Sequence, residues 1–130
     1  MPRPPLARAL PAAVLALALG LPAQAHHSEA AEYDTEHLVK LTGTVSKVEW
    51  MNPHVWFYVD VTGADGKVTQ WGFSTAPPGA LMRRGVTKEA LKPGSVVVVE
   101  GARARDGSNN ASARRVSTVD GHDVLVPPAG

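Results

Sequence analysis

The chain of 130 residues predicts a single small all-β domain with a small α content. Short runs in which apolar and polar residues alternate are separated by glycine-containing turns, and one short helical segment interrupts them. The order is three strands, a helix and two strands. This is the order of an OB-like, five-stranded Greek-key barrel with a short helix between strands 3 and 4. A small β-sandwich with the same number of strands is the alternative architecture.

The first predicted strand lies in the segment VKLTGTVSKVEW, residues 39–50. Leu41 and Val45 share one parity along it, whereas Val48 falls on the other. This slip of one residue indicates a β-bulge near residues 46–47, which would bend the strand toward barrel closure.

The second and third predicted strands, residues 54–61 and 67–75, form a hairpin across the turn GADG. In the second strand one parity is apolar and the other is mixed, so the apolar face is expected to fill the barrel. The apolar face consists of Val55, Phe57, Val59 and Val61, and the mixed face of His54, Trp56, Tyr58 and Asp60. Trp71 and Phe73 supply the apolar face of the third strand.

The second half of the chain begins with a helix of one or two turns at residues 78–84, which Gly85 ends. Thr87 then caps a further turn that finishes at the dipeptide Pro93-Gly94. The remaining predicted strands lie at residues 95–105, 110–118 and 122–126, and the turn DGSN joins the first two.

Residues 1–25 have the pattern of a signal peptide that is removed on export. Arg3 and Arg8 precede an apolar run, and Ala23-Gln24-Ala25 supplies small residues at a signal-peptidase site. The run is shorter than the roughly 20 apolar residues of a membrane-spanning helix, and prolines interrupt it. We therefore expect a periplasmic or secreted protein without a membrane span. Its mature chain would comprise an N-terminal arm at 26–37, the barrel domain at 38–126 and a tail at 127–130.

The charge balance of the mature chain argues against nucleic acid and membrane surfaces as partners. Arg3 and Arg8 leave with the signal peptide, so 13 basic residues become 11 against 12 acidic ones, a side-chain charge of −1 with histidines neutral. No basic footprint remains. The chain has no cysteine, so an exported form must be held together by its apolar core alone.

The sequence contains no recognised catalytic set and favours a binding role over an enzymatic one. It has no cysteine nucleophile, no serine in a G-x-S-x-G context and no glycine-rich phosphate loop. The candidate functional residues are therefore histidines, aromatic residues and arginines.

The histidines are candidate ligands for a metal, with copper as the candidate cofactor. Cleavage after Ala25 makes His26 the first residue, so its α-amine and its imidazole can chelate one ion together. His54 at a rigid strand start is the best third nitrogen ligand, and His27 is a further candidate. An all-nitrogen, tetragonal set suits Cu(II). The alternative is that His26 and His27 are the solvated start of a flexible arm, and that His54 forms a hydrogen bond in a turn.

Trp56 and Tyr58 form a second candidate site, because they point away from the apolar face of the second strand. In OB-folds the second and third strands form a face that binds oligosaccharides or oligonucleotides. Aromatic side chains beside His54 and Asp60 suit a glycan or a protein partner. Alternatively, this face is packed under the N-terminal arm, which can place Tyr33 and His26 over the Trp56 side.

Four arginines on the predicted hairpin of residues 101–115 form a local basic strip. They are Arg103, Arg105, Arg114 and Arg115. Export and the charge of the mature chain argue against a nucleic-acid site there, so we interpret the strip as a solvated hairpin.

The segments HHSEAAEYD, GTVSKVEWMNPHVWFYVDV, LKPGSVVVVEG and RARDGSNNASARRV together resemble a family of small exported bacterial proteins, a domain of unknown function. Proteins of this family begin their mature chain with His-His-Ser and carry a Trp-x-Asn-Pro-His motif before the second strand. The resemblance covers about residues 26–126 and implies a periplasmic or secreted OB-like barrel, without implying a reaction. The motif positions are His26, His27, Ser28, Trp50, Asn52, Pro53 and His54. On this basis Trp50 and Asn52 join Trp56 and Tyr58 as candidate ligand-binding residues.

Overall fold

The computed structural model of the chain describes residues 1–2 and 29–125. The strands are β1 (Tyr33–Glu49), β2 (Trp56–Thr62), β3 (Val68–Ser74), β4 (Val96–Ala104), β5 (Asn110–Ser117) and β6 (Asp123–Leu125). The helix α1 (Pro78–Arg83) and a 3-10 turn (Lys88–Ala90) connect β3 to β4. The predicted signal peptide, apart from its first two residues, and the predicted tail lie outside this description.

The six strands form one sheet in the order β3-β2-β1-β4-β5-β6, and a parallel pairing between β3 and β5 closes it into a barrel. All other neighbouring strands are antiparallel. The closing ladder is short, because only residues 72–74 pair with residues 110–112. The OB-like barrel with a helix between strands 3 and 4 is therefore confirmed. β6, beside β5, is the short last strand predicted at residues 122–126.

β1 is the longest strand and takes part in both halves of the barrel. Its first part pairs with β4 and its last part with β2. The register shifts between Val45 and Lys47, as the change of parity predicts, and the Val45 N–H donates there to the Ser95 carbonyl at 2.9 Å. Gly43 lies where β1 runs close to β2, since a Cβ there would clash with the Asp60 carbonyl. The bulge and the glycine together let one strand bend around the barrel.

The segment predicted as an extended arm, residues 26–37, is regular where the structure describes it. Residues 29–32 are helical, and β1 already begins at Tyr33, ahead of the expected start of the domain. The cause is long-range packing, because the Tyr33 side chain is buried with Ala102 and Ala104 of β4. The polar residues around Tyr33 carry no strand periodicity, so the pattern does not indicate that β1 begins there.

The barrel interior is filled by the apolar face predicted for β2. Val55, Phe57 and Val59 are at most 2% exposed, and the rings of Phe57 and Phe73 stack with 5.2 Å between their centroids. Complete burial of side chains of this size stabilises the fold by about 1.5–3 kcal/mol each. The predicted alternation of β2 is thus confirmed on its inner face.

The connection between β3 and β4 packs on the same core. α1 begins with Pro78, buries Leu81 and ends before Gly85, whose φ of 81° lies in the left-handed region. Val86 and Leu91 follow and are also buried. No helix within the described ranges has the length and apolar character needed to cross a membrane.

Candidate ligand-binding groove on the outer face of the barrel

The outer face of β2 carries the aromatic side chains that the sequence singles out. Trp56, Tyr58 and Asp60 alternate with the core residues of the strand and are half-buried. In the register of the sheet, Trp56 lies beside Ser74 of β3, and Tyr58 lies beside Gly72. This face is therefore neither fully solvated nor sealed by packing.

Gly72 provides the space into which both aromatic rings lean. A Cβ at this position would lie 3.3 Å from Cε1 of Tyr58 and 3.5 Å from Cζ3 of Trp56. It would also lie 2.6 Å from Oδ1 of Asn110 on β5, which is too close for a carbon atom. A glycine inside a strand often marks such a close approach. The two rings therefore cover part of β3 and lie next to the closing strand β5.

The Tyr58 side chain is enclosed by charged neighbours from β1. Its hydroxyl donates to Oε2 of Glu49 at 3.2 Å, and Nζ of Lys47 lies 5.5 Å from its ring centroid. Lys47 and Glu49 also form an ion pair with each other. Burial, together with the bond to Glu49, raises the pKa of Tyr58, and the hydrogen bond from Lys47 lowers the pKa of Glu49. Both the ring and the hydroxyl of Tyr58 are thus engaged within the protein.

Trp56 lines a groove of about 200 Å³ between the barrel and the chain segment that precedes β1. We call it the Trp56 groove. Three regions contribute to its lining: the segment before β1, the start of β2 and the turn that joins β4 to β5. The lining includes Glu32, Tyr33, Trp56, Arg105, Asp106 and Asn110. Aromatic surface surrounded by a few polar groups is the usual composition of a ligand site.

The wall of the Trp56 groove is held in place by side chains of the β4–β5 hairpin. Oγ of Ser112 donates to Oε1 of Glu29 at 2.9 Å, and Arg114 forms an ion pair with the same oxygen at 3.1 Å. Nε of Arg105 donates to the carbonyl oxygen of Ala30 at 2.8 Å. The contacts of Ser112 and Arg105 join residues that are 83 and 75 positions apart in the sequence. They fix the segment before β1 against the barrel.

Tyr33 forms the boundary between the groove and the protein interior. Its side chain is 7% exposed, and Oγ of Ser74 donates to its hydroxyl at 3.4 Å. Burial raises the pKa of the Tyr33 hydroxyl, so it stays protonated throughout the neutral range. Tyr33 therefore presents a fixed aromatic wall in the same groove as Trp56, in agreement with the interpretation of an arm laid over the Trp56 side.

The turn between β4 and β5 supplies the polar rim of the groove. The Ser108 N–H donates to Oδ1 of Asp106 at 2.8 Å, and Nδ2 of Asn110 donates to the Ser108 hydroxyl at 3.2 Å. Hydrogen bonds from Ser108 lower the pKa of Asp106, so its carboxylate is ionised at neutral pH and has further acceptor capacity for a ligand. Arg105 and Glu32 complete the rim, and both are exposed.

His54 stands two residues before Trp56 and is exposed. Its Nδ1 lies 2.8 Å from the Thr75 carbonyl oxygen and donates to it, so Nε2 of the neutral ring carries no hydrogen. A backbone carbonyl orients many metal-binding imidazoles in this way. His26 and His27, the other predicted ligands, lie outside the described residues. Within the part of the chain that the structure describes, no group of three or more His, Cys, Asp or Glu side chains could hold a metal ion.

Trp50 and Asn52, which the resemblance adds to the candidates, are separate from the lining of the Trp56 groove. Trp50 is partly buried and packs against the core. Asn52 is exposed and precedes a cis peptide bond to Pro53. Of the four candidate ligand-binding residues, the groove thus includes Trp56 alone.

The hairpin arginines take part in contacts within the protein. Arg103 lies 5.1 Å from the centroid of the Trp71 ring, and Arg115 pairs with Asp123 at 2.7 Å. The other two arginines hold the segment before β1, as described above. Arg105, Arg114 and Arg115 remain exposed, in agreement with a solvated hairpin, and they also form contacts with the wall of the groove or with Asp123.

The aromatic residues of the groove stand out in the sequence, whereas its rim residues do not. Asp106 belongs to the turn DGSN and Asn110 follows it, so the turn itself explains both residue types. Glu32 stands in a polar segment without periodicity. The usable signal was Tyr33, because a lone aromatic residue in such a segment indicates that the segment packs on the domain.

Solved structures are similar to this chain over most of the barrel. A crystal structure of the mitochondrial single-stranded DNA-binding protein Rim1 from S. cerevisiae has a TM-score of 0.50 and 10% sequence identity, and covers 64% of this chain and 93% of that chain. A selenomethionine-labelled structure of Rim1 has a TM-score of 0.48 with the same identity and coverage. At this identity the likeness supports the OB-fold alone.

Sequence comparison places the chain in a family. No curated protein sequence matches it. A family model described as a family of unknown function (DUF6152) matches residues 13–113, from within the predicted signal peptide to β5. The expected membership of a family of unknown function is therefore confirmed, and the chain belongs to the DUF6152 family.

Proposed function

We propose that this protein is an exported binding module whose ligand occupies the Trp56 groove. The proposal is carried by one observation: the half-buried indole of Trp56 faces a groove with ionised and amide groups on its rim. The volume of about 200 Å³ is below the roughly 300–1,000 Å³ of sites for drug-sized molecules. The groove therefore takes one ring, or one side chain, of a glycan or protein partner.

The charges around the groove disfavour a nucleic-acid ligand. Glu32 and Asp106 are acidic, and Arg105 is the one basic residue among those that line the groove. Lys47, further along the same face, is paired with Glu49. A site that follows a phosphate backbone needs several available Lys or Arg side chains.

The test of the groove maps the binding of small molecules. A set of neutral polyol and aromatic fragments is titrated into 15N-labelled protein, and the amide and indole signals are followed by NMR. We expect the shifts to cluster at Trp56, Asp106 and Asn110 and to vanish in Trp56→Ala. Tyr58→Phe, on the same strand face, is the matched control and keeps them. Shifts that survive in Trp56→Ala, or that cluster elsewhere, would reject the groove as the ligand site.

Export of the protein is the second part of the proposal. Its support is the sequence pattern of residues 1–25, with a basic start, an apolar run and small residues up to Ala25. The intact mass of the protein in the periplasmic fraction of an expressing bacterium is expected to match a chain that begins at His26. A mass that includes residues 1–25, or recovery in the cytosol alone, would contradict export.

Cu(II) binding is a second candidate function, which the orientation of His54 favours. The bond from its Nδ1 to Thr75 leaves Nε2 available in the neutral ring, and the side chain is exposed. After cleavage behind Ala25, the α-amine and imidazole of His26 would supply two further nitrogens, with His27 as an additional candidate. An all-nitrogen set of this kind suits Cu(II).

The position of Glu29 supports this ligand set. Glu29 is bound to Ser112, which lies in register with Trp56 across β3. Two strand spacings, and the two residues from Trp56 back to His54, separate Ser112 from His54 by about 12 Å. The three residues from Glu29 back to His26 span about 10 Å when extended, and the side chains add to this reach.

Copper titration followed by calorimetry and electron paramagnetic resonance tests this candidate. A protein that begins at His26 is compared with the same protein carrying one additional N-terminal alanine, which removes the amine–imidazole chelate. We expect Cu(II) to bind the first form at least about tenfold more tightly, which corresponds to 1.4 kcal/mol. We expect His54→Ala to weaken binding to the His26 form as well. Equal affinity of the two forms would exclude the His26 site.

A further inference from the structure

We propose that the Trp56 groove binds a neutral sugar ring of a glycan, which stacks on Trp56 and is hydrogen-bonded by the rim residues. The inference rests on the groove being the ligand site, as proposed above, and adds the chemical class of the ligand. It follows from the size of the groove, from the surface that Trp56 presents, and from the mixture of donors and acceptors around it.

The shape of the groove suits a single ring that is part of a longer chain. Its volume is about 200 Å³, and it lies at the barrel surface between the segment before β1 and the β4–β5 turn. The rim residues Glu32, Arg105 and Asp106 are exposed, so the groove is open to solvent there. A ring bound in the groove can therefore remain linked to further units of the ligand outside it. An oligosaccharide meets this requirement, because its neighbouring rings can extend along the face of the barrel.

The indole of Trp56 is a flat apolar group that lines the groove, and contact with its neighbours holds it in place. Cζ3 of the indole would lie 3.5 Å from a Cβ at position 72, so the ring rests on the Gly72 backbone. Tyr33 contributes a second, buried aromatic wall to the same groove. The face of a pyranose carries C–H groups and matches such a surface, whereas its edge carries hydroxyl groups that need polar partners.

The rim offers both hydrogen-bond donors and acceptors, as hydroxyl groups require. Asp106 is an acceptor on the rim: hydrogen bonds from Ser108 lower its pKa, the Ser108 N–H donates to Oδ1, and the side chain is exposed. Arg105 uses Nε for the Ala30 carbonyl, and its two terminal nitrogens are donors that a ligand can share. Each sugar hydroxyl donates one hydrogen and accepts through its lone pairs, so adjacent hydroxyls can bridge such a carboxylate and guanidinium.

The charges of the lining favour a neutral ligand over an anionic one. Glu32 and Asp106 outnumber Arg105, so a phosphate or uronate group would meet net negative charge. A neutral polyol avoids this repulsion, and its hydroxyls can use the guanidinium of Arg105 as a donor as well as the two carboxylates as acceptors. A ligand with a simple cationic group would leave the Arg105 guanidinium without an acceptor.

The experiment uses defined oligosaccharides as probes. Maltotriose, cellotriose and chitotriose are titrated into the labelled protein, and an eight-residue oligothymidylate is titrated in parallel. We expect at least one trisaccharide to shift the signals of Trp56, Asp106 and Asn110, and we expect the oligothymidylate to leave them unchanged. Trp56→Ala should abolish sugar binding, whereas Trp56→Phe should keep it with a loss of about tenfold or less.

A matched pair of aspartates tests the role of the rim. Asp106 and Asp65 both accept a hydrogen bond from the backbone N–H two residues later, at 2.8 and 3.0 Å, and Asp65 lies in the β2–β3 turn outside the groove lining. We expect Asp106→Asn to weaken sugar affinity by about tenfold and Asp65→Asn to leave it unchanged. Equal effects of the two substitutions would overturn the assignment of Asp106.

The outcomes separate this inference from the proposal on which it rests. If fragments bind at Trp56 and none of the three sugars does, the sugar assignment is wrong and the groove stands as a ligand site. If neither fragments nor sugars bind there, both proposals fail. Salt-dependent binding of the oligothymidylate at Trp56, with no sugar binding, would overturn the choice of a neutral ligand.

Discussion

The two ends of the outer face of β2 show how neighbours decide what an aromatic residue can do. Tyr58 and Trp56 are two residues apart on one strand, lie on the same face and lean over the same glycine, Gly72. At the Tyr58 end, Lys47 and Glu49 of β1 engage the ring and the hydroxyl. At the Trp56 end, the neighbouring elements do not fill the space beside the ring, and a groove remains there.

The two ends differ because the residues that surround each ring come from different parts of the sequence. The neighbours of Tyr58 come from the adjacent strand, through the register that pairs Lys47 with Tyr58. The neighbours of Trp56 in the groove come from the segment before β1 and from the β4–β5 turn. Side chains of an adjacent, paired strand fill the space beside an aromatic ring. Segments that come from distant parts of the sequence can instead leave a groove beside it.

The largest expected difference between the two ends is in stability. Tyr33→Ala removes the buried side chain that packs the start of β1 against β4, and should lower the free energy of unfolding by about 3 kcal/mol. Tyr58→Ala removes a half-buried side chain and should lower it by about 1 kcal/mol. Urea denaturation of both variants measures the difference. Similar losses would mean that the packing of Tyr33 contributes no more to the free energy of unfolding than the contacts of Tyr58 with Lys47 and Glu49.

Gly72→Ala should disturb both ends at once. The added methyl group would lie 2.6 Å from Oδ1 of Asn110 and close to both rings, so we expect a loss of about 2 kcal/mol in the free energy of unfolding. Gly79→Ala in α1 is the matched control, because its Cβ would meet only the end of Arg83 at 3.5 Å. It should be neutral or stabilise by up to about 1 kcal/mol. A tolerated Gly72→Ala would show that the rings do not rest on the backbone.

The dependence of stability on alkaline pH should differ between the parent protein and Tyr33→Phe. Burial raises the pKa of the Tyr33 hydroxyl in the folded protein above the unfolded value of about 10. The stability linked to this group is therefore complete below about pH 10 and is lost as the pH rises through the folded-state pKa. Melting temperatures between pH 8 and 11 should fall less steeply in Tyr33→Phe than in the parent protein. Identical slopes would show that Tyr33 does not contribute to the alkaline transition.

The smallest effect is expected where the Tyr58 hydroxyl meets Glu49. Tyr58→Phe removes one hydrogen bond of 3.2 Å at a half-exposed position, and should cost about 0.5 kcal/mol. Denaturation midpoints at low and high salt measure it, with Glu49→Gln as the companion variant that keeps an acceptor. A loss as large as that of Tyr58→Ala would mean that the hydroxyl, and not the ring, holds this end together.

The strands and the inner face of the barrel could be predicted because their signals are local. The alternation through Val55, Phe57 and Val59 has the period of a strand, and the change of parity around Val45 marks the bulge. The order of elements then indicated the OB-like topology, which the sheet confirms. These features depend on residues within one strand or one hairpin.

The groove could be predicted only in part because its geometry depends on distant contacts. The half-buried position of Trp56 follows from its strand, but the bond between Glu29 and Ser112 spans 83 residues and has no local signature. Asp106 was explained by its turn, and nothing in the sequence indicates that this turn faces the segment before β1. The parts of the site that come from loops are therefore those that sequence reasoning missed.

The short parallel ladder between β3 and β5 has a consequence for how the barrel opens. It joins three residue pairs, whereas β2 and β3 share seven. Hydrogen exchange should therefore be faster for amides bonded across this seam than for those at the centre of the β2–β3 ladder. The Trp56 groove spans the seam, since Trp56 belongs to β2 and Asn110 to β5. A bound ligand would tie the two sides together, so slower exchange along the seam would report occupancy of the groove without any label on the ligand.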